Sequence, residues 1–183
     1  KDDTTMNAFA LPGGKIAVYT GIFPVAKTEA GLAAVMGHEV VHALARHGGE
    51  RMSQNTLAQT TLQAIGIALG VSGANPVVSQ GAMAALGVGA QVGVLLPFSR
   101  KHESEADYVG VLLAADAGYD PRESIQLWTR MGELSGGKSA SEFMSTHPSH
   151  ETRIEQLEEW MSEAMPIYQS KPPAPNHELP ALR

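Results

Sequence analysis

The period of the apolar positions changes several times along this chain, and each change marks an element. Residues 7 to 20, NAFALPGGKIAVYT, read as a β-hairpin. A short apolar strand leads into a Pro-Gly-Gly turn at Pro12 to Gly14, and a β-branched strand, Ile16 to Thr20, is ended by Gly21 and Pro24. From Gly31 to Gly48 the run GLAAVMGHEVVHALARHG is apolar on nearly every side of a helix, through Leu32, Val35, Met36, Val40, Val41 and Leu44. Such a helix belongs in a core. Thr28 caps its N-terminus with Glu29 in the first turn, and Gly48-Gly49 are expected to stop it.

A polar-to-apolar helical pattern runs from Glu50 to about Val71 and breaks at SGANP, Ser72 to Pro76. An Ala/Gly-rich segment, about Val77 to Leu96, follows. Two readings of this pair stay open: packing helices whose small residues allow close approach, or a mobile lid or membrane-contacting loop beside a site. Pro97-Phe98-Ser99 introduces a helix from Arg100 to about Ala117, closed by Gly118. Asp120 as N-cap, Pro121 at the first position and Glu123 completing a capping box start another, to about Leu134. Gly136-Gly137 and Ser139 to Glu142 read as a loop and a short capped turn. Ser149 caps a last helix with Ile154, Leu157, Met161 and Met165 on its core face. Residues 1–165 form one domain. The remainder, 166–183, holds five prolines and reads as an extended or disordered tail.

Composition narrows the function. A net charge of -6, with 13 Lys and Arg that nowhere form a stripe, argues against nucleic acid as a partner. With no cysteine there is neither disulfide nor thiolate, so any zinc must be held by His and carboxylates. No signal peptide is visible, and a chain opening on Lys1 reads as a mature or trimmed fragment. Ala82 to Phe98, with Gln91, several glycines and Pro97, is shorter than a spanning helix requires, so no transmembrane segment is expected.

The candidate chemistry lies in the buried helix, where His38, Glu39 and His42 form HExxH. Two His four residues apart share one helix face and can reach one metal ion, while Glu39 projects beside it as a base for a metal-bound water. Burying three ionisable groups on one turn without a metal would be expensive. On the Arg100 to Ala117 helix, Glu103 and Asp107 are four apart on the small-residue face that Ala106, Gly110 and Ala114 extend. Glu103 is the expected third ligand. Asp107 is placed to accept the second N–H of a ligand His. Lys101, His102 and Glu105 read as a solvated charged turn. His47 falls on the far side of the first helix as a cation at its C-terminus, Glu50 lies beyond the double glycine, and the HExxHxxGxxH pattern fails at Ala45 and Gly48. The strand Ile16 to Thr20 could hold an extended polypeptide by its free edge or only pack on the helix.

HEVVH, SRKHESEAD and THPSHETRI, after NAFALPGGKIAVYTG, resemble the zinc metallopeptidases of the HtpX and CAAX prenyl endopeptidase family, within the gluzincins, over about residues 5 to 165. The resemblance implies a mostly α-helical α+β fold, a minigluzincin core with a zinc-binding helix and a small β-hairpin or sheet. It implies an endopeptidase acting on misfolded or membrane-associated proteins, and supports Glu103 as ligand and Asp107 as its companion. It implies a role near the metal for His147, either filling the zinc and holding the enzyme latent or stabilising the reaction intermediate. Arg153 matches a basic position that pairs with a carboxylate or the developing oxyanion. The resemblance is to soluble members of the bacterial periplasm or cell envelope, compatible with peripheral membrane association.

The expected function is therefore a zinc endopeptidase: zinc on His38, His42 and Glu103, Glu39 as general base, His147 and Arg153 assisting. A competing reading is a latent or inactive zinc-binding chaperone-like module in which His147 fills the open position. A third is a zinc amidase or aminopeptidase, which end-group analysis of products would distinguish.

Overall fold

The structure is a computed structural model that describes residues 5–11, 13–134, 147 and 152–181. It is mostly helical with one small sheet, the expected α+β class. Strands β1 (Ala8–Leu11) and β2 (Lys15–Val18) pair antiparallel, with Phe9 opposite Ala17 and Ala10 opposite Ile16. A short helix α1 (Phe23–Ala26) leads into α2 (Glu29–Leu44), whose N-cap Thr28 accepts from the Gly31 amide as expected. Then come α3 (His47–Val71), α4 (Pro76–Ala90), a π turn over Gln91–Leu95, α5 (Leu96–Asp116), α6 (Arg122–Glu133) and α7 (Arg153–Gln169).

Helix α2 lies at the centre, against α5, α6 and β1. The core is built from short and medium side chains, among them Ile22, Val35, Val111, Leu127, Met131 and Leu157. Aromatics are scarce, so close helix approach supplies what bulk does not. At the crossing of α2 and α5, a Cβ added to Gly37 would stand 2.7 Å from the Gly110 carbonyl oxygen, and one added to Gly110 would stand 2.9 Å from the His38 nitrogen. The two backbones therefore touch at this point. The same contact sets how far His38 stands from Glu103 and Asp107, two turns and one turn earlier on α5.

Several boundaries differ from the sequence reading. Helix α2 ends at Leu44, not at Gly48-Gly49: Arg46 takes the left-handed conformation (φ 57°), and the two glycines fall in the first turn of α3. Pro97 does not break the chain. It sits in the first turn of α5 directly after the π turn, so residues 76–116 run as one helical rod that by length and composition could cross a membrane. Helices α3 and α4 pack on each other, with Gly66 beside Met83, and stand away from the core with their apolar residues exposed. Asp120 still accepts from the Arg122 amide, but α6 begins one residue later than expected, and the Glu123 carboxylate pairs with Arg130 instead of closing a capping box. Helix α7 carries Pro166 inside it and continues to Gln169.

The tail that follows is extended but pinned. Leu179 donates to the Lys27 carbonyl, the Glu29 amide to His177, and Ala174 to Gly118, itself at φ 83° where α5 was expected to close. Its backbone finds partners in the α1–α2 junction and the end of α5, which no local pattern announces. The turn residue Pro12, the segment Gly136 to Glu142 and the cap Ser149 lie outside the described residues.

Candidate metal centre

The α2 helix presents His38 and His42 one turn apart, and α5 brings Glu103 against them. His147 completes the cluster, and all four side chains are buried. One ligand atom from each lies within 4.8 Å of all the others. His38 Nε2 is 3.0 Å from His42 Nε2, 3.2 Å from a Glu103 oxygen and 3.2 Å from His147 Nδ1. Glu103 stands 3.3 Å from His42 and 3.2 Å from His147 Nδ1. Atoms held tetrahedrally about 2.0–2.1 Å from one zinc would be roughly 3.3–3.4 Å apart. These five distances lie close to the edges of a zinc tetrahedron, with Glu103 using one oxygen toward His42 and the other toward His38 and His147.

The outer partners of each ring fix the tautomers. His38 Nδ1 is 2.9 Å from Asp107 Oδ1 and donates to it, so Nε2 offers a lone pair to the cluster. His147 Nε2 is 3.2 Å from the Ala8 carbonyl and 3.3 Å from Glu39 Oε1, so its Nδ1 faces inward bare. Lone pairs converging at 3 Å in a buried site require a cation between them. Without a metal, a proton takes that place: burial opposes it, but the Asp107 and Glu103 carboxylates raise the pKa of His38 to about 10. Burial carries His42 the other way, to about 4. Burial also works against an ionised Glu103, yet the imidazoles of His147, His38 and His42 around it hold it far below the usual carboxylate range.

Glu39 projects beside the cluster from the same turn as His38. It is fully buried, and neither oxygen makes a well-formed hydrogen bond among the described residues. Burial raises its pKa, with the nearby His147 and His38 pulling the other way. Asp107 is held low despite burial by the charge of Arg153 and by the bond from His38. Arg153 is itself buried, 2.7 Å from Asp107 and 3.5 Å from Glu103, with its guanidinium 3.3 Å over the Trp128 ring. It meets carboxylates, the first of its two expected partners.

The sequence reading missed a second support. His47, expected on the far side of α2 near solvent, is buried, and its Nδ1 lies 2.9 Å from His42 Nδ1. With His42 Nε2 turned to the cluster, His42 Nδ1–H donates to His47. The remaining proton of His47 then sits on Nε2, 3.5 Å from Glu105. Burial first, then His42 and His102, lower the pKa of His47 and keep it neutral. His102, expected in a solvated turn, is buried and stacked on His47 at 4.3 Å, and its Nε2 reaches Glu50 at 3.1 Å. The left-handed turn at Arg46 swings His47 back toward His42, and helical spacing carries no signal of it. The variant His47→Leu is expected to bind zinc about 10–100-fold more weakly while keeping its fold, since the second nitrogen of His42 loses its acceptor. Zinc titration against a competing chelator checks this, and unchanged affinity would show the contact to be incidental.

The strand beside the cluster is β1, not the expected Ile16 to Thr20. The Asn7 carbonyl bonds to Tyr19 across the hairpin, so by antiparallel alternation Ala8 and Ala10 turn their backbone groups away from β2, and Ala8 is the one that meets His147. A groove of about 520 Å³ opens between this strand and the α2–α3 junction, lined by Ala10, Leu11, Gly13, Gly14, His42, Ala43 and Arg46 among others.

Comparison with known proteins gives this geometry a context. The profile of Peptidase family M48 matches residues 1–161. The mitochondrial metalloendopeptidase OMA1 of Schizosaccharomyces pombe is 43% identical over 164 residues, covering 88% of this chain and 45% of the relative. The human metalloendopeptidase OMA1, mitochondrial, is 33% identical, covering 91% of this chain and 32% of its own length. A beta-barrel assembly-enhancing protease of Yersinia pestis is 28% identical over 81% of this chain and 31% of its own. The chain thus spans between about a third and half of these relatives. The expected placement in a bacterial periplasm or envelope is corrected by this comparison, because the relatives of higher identity are mitochondrial proteins by name. Zinc is the metal of these peptidases, and the donor set, free of thiolate, suits it. A profile match that runs through all four residues of the cluster establishes that the chain belongs to peptidase family M48.

Proposed function

We propose that this chain is the catalytic domain, residues 1–165, of a zinc endopeptidase, with His38, His42 and Glu103 as metal ligands. The observation that carries the reading is the convergence of those donors at tetrahedral spacing with a buried, under-bonded Glu39 beside them. Zinc bound there would supply a Lewis acid that acidifies water and polarises a peptide carbonyl. Glu39 takes the proton from the attacking water and returns it to the leaving amine, as burial suits it to hold a proton. Asp107 and His47 fix the orientation of His38 and His42. Arg153 holds Asp107 in place and is a positioning residue.

An extended polypeptide would pair with the outer edge of β1 at Ala8 and Ala10, where the Ala8 carbonyl now meets His147. This places substrate recognition on β1, in an enzyme of the HtpX-like kind acting on misfolded or membrane-associated polypeptides. The test is digestion of unfolded casein by the zinc-loaded chain with end-group analysis of the fragments. Internal cuts are expected, and release of single terminal residues would sink the endopeptidase reading.

One observation favours a second reading. His147 Nδ1 occupies the fourth corner of the cluster, where water would otherwise sit. With His147 in place the site is latent, and displacing it opens both the metal and the Ala8 carbonyl. The variant His147→Ala is expected to raise casein cleavage severalfold if His147 is a plug. Activity lost with zinc retained would assign His147 to the reaction instead, and silence in both proteins would favour a zinc-binding module without turnover.

A further inference from the structure

Between Arg51 and Arg100 the chain contains no Lys, Arg, Asp, Glu or His. This stretch forms the α3–α4 hairpin, and its large apolar side chains are exposed, Ile67 at 69%, Val71 at 85% and Val78 at 67%. We propose that the hairpin inserts its apolar end, residues 64–86, into one leaflet of a phospholipid bilayer, with its uncharged polar base and then Arg51, Arg100 and Lys101 on the water side.

Three observations select lipid over a protein partner. First, a helix made to dock on protein carries one apolar face and one charged face, whereas this hairpin has no charge on any face. Second, the backbone at its tip and several of its hydroxyls find partners inside the hairpin, as a hydrocarbon environment favours. At the tip, Ser72, Gly73 and Ala74 donate their amides to carbonyls of α3, and the Asn75 side chain caps Val77. Nearer the base, the hydroxyls of Ser53, Thr56 and Thr60 donate to carbonyls one turn back, at 3.1, 2.8 and 2.8 Å. Third, the apolar end has the depth of one leaflet, and the charges that flank the hairpin have the sign that anionic headgroups attract. From Ala64 to Val71 is about 12 Å of helix at ~1.5 Å per residue, close to the ~15 Å of one leaflet. The first charges met on descending either leg are cations, Arg51 on α3 and Arg100 on α5, in a chain that is acidic overall.

The base of the hairpin is the metal centre. His47 opens α3, and Arg51 lies 3.8 Å from Glu103. For its consequence alone the inference rests on the peptidase reading: insertion would set the cluster at the membrane surface, within reach of polypeptide segments that emerge from the bilayer.

Flotation of the full chain with phosphatidylcholine vesicles containing a minor fraction of phosphatidylglycerol tests insertion without reference to activity. The parent chain is expected to float with the vesicles, and Ile67→Asp/Val78→Asp to bind them at least about tenfold more weakly, since each charge is costly in hydrocarbon. Both positions are exposed, so circular dichroism and zinc content should be unchanged. In a second measurement, Val78→Trp fluorescence should be quenched by lipids brominated in their acyl chains. A parent chain that stays in the aqueous fraction overturns the proposal, whether as a monomer or as a dimer that the same double substitution dissociates. So does a Trp at position 78 that brominated chains leave unquenched.

Discussion

Replacing Glu39 by Gln is expected to lower kcat/KM on unfolded casein by at least about 10²–10⁴-fold, the usual worth of a positioned general base, while zinc content stays that of the parent. The amide has the shape of the carboxylate but cannot take a proton. The substitution should leave the fold intact or make it slightly more stable, because it removes a fully buried charge whose oxygens are under-bonded among the described residues. Metal analysis and thermal unfolding belong beside the rate measurement. Retained turnover would sink the assignment of Glu39 as base. Loss of zinc together with activity would make Glu39 a ligand and reopen the choice between it and Glu103.

The second large effect is expected from a single methyl group at the α2–α5 crossing. Gly37→Ala would put Cβ 2.7 Å from the Gly110 carbonyl, a distance that backbone must move to relieve. Overpacking of this kind costs roughly 1–3 kcal/mol, against the ~1 kcal/mol that Ala gains over Gly within a helix. The strain falls where His38 is held against Glu103, so zinc affinity should drop more than global stability. The control is Gly132→Ala on α6, where an added Cβ meets nothing and stability should hold or rise. Thermal unfolding with and without zinc separates the two effects. If Gly37→Ala binds zinc like the parent, the close approach is not what sets the site.

Which parts of this molecule could be read in advance follows from the range of the interactions. HExxH on an apolar helix, the Glu103/Asp107 pair and the hairpin before them are local patterns, and each lies on the element expected for it. His47 was misjudged because one left-handed residue, Arg46, separates it from the helix that holds His42. The stacking of His102 on His47 and the burial of Arg153 over Trp128 join elements 55 and 25 positions apart in sequence, distances that periodicity does not span. The tail was read as loose because it is rich in proline, yet its amides and carbonyls meet partners at the α1–α2 junction and the end of α5.

By itself the sequence determined the helical character of the chain, the face that carries His38, Glu39 and His42, and the absence of thiolate ligands. These depend on residue type and on spacing within one helix. The tertiary structure alone decided that His47 returns to back His42, that β1 is the strand beside the site, and that the uncharged hairpin stands clear of the core. Those outcomes depend on how closely α2 and α5 approach at Gly37 and Gly110 and on where the turn at Arg46 sends α3, and both are set by contacts between segments distant in the chain.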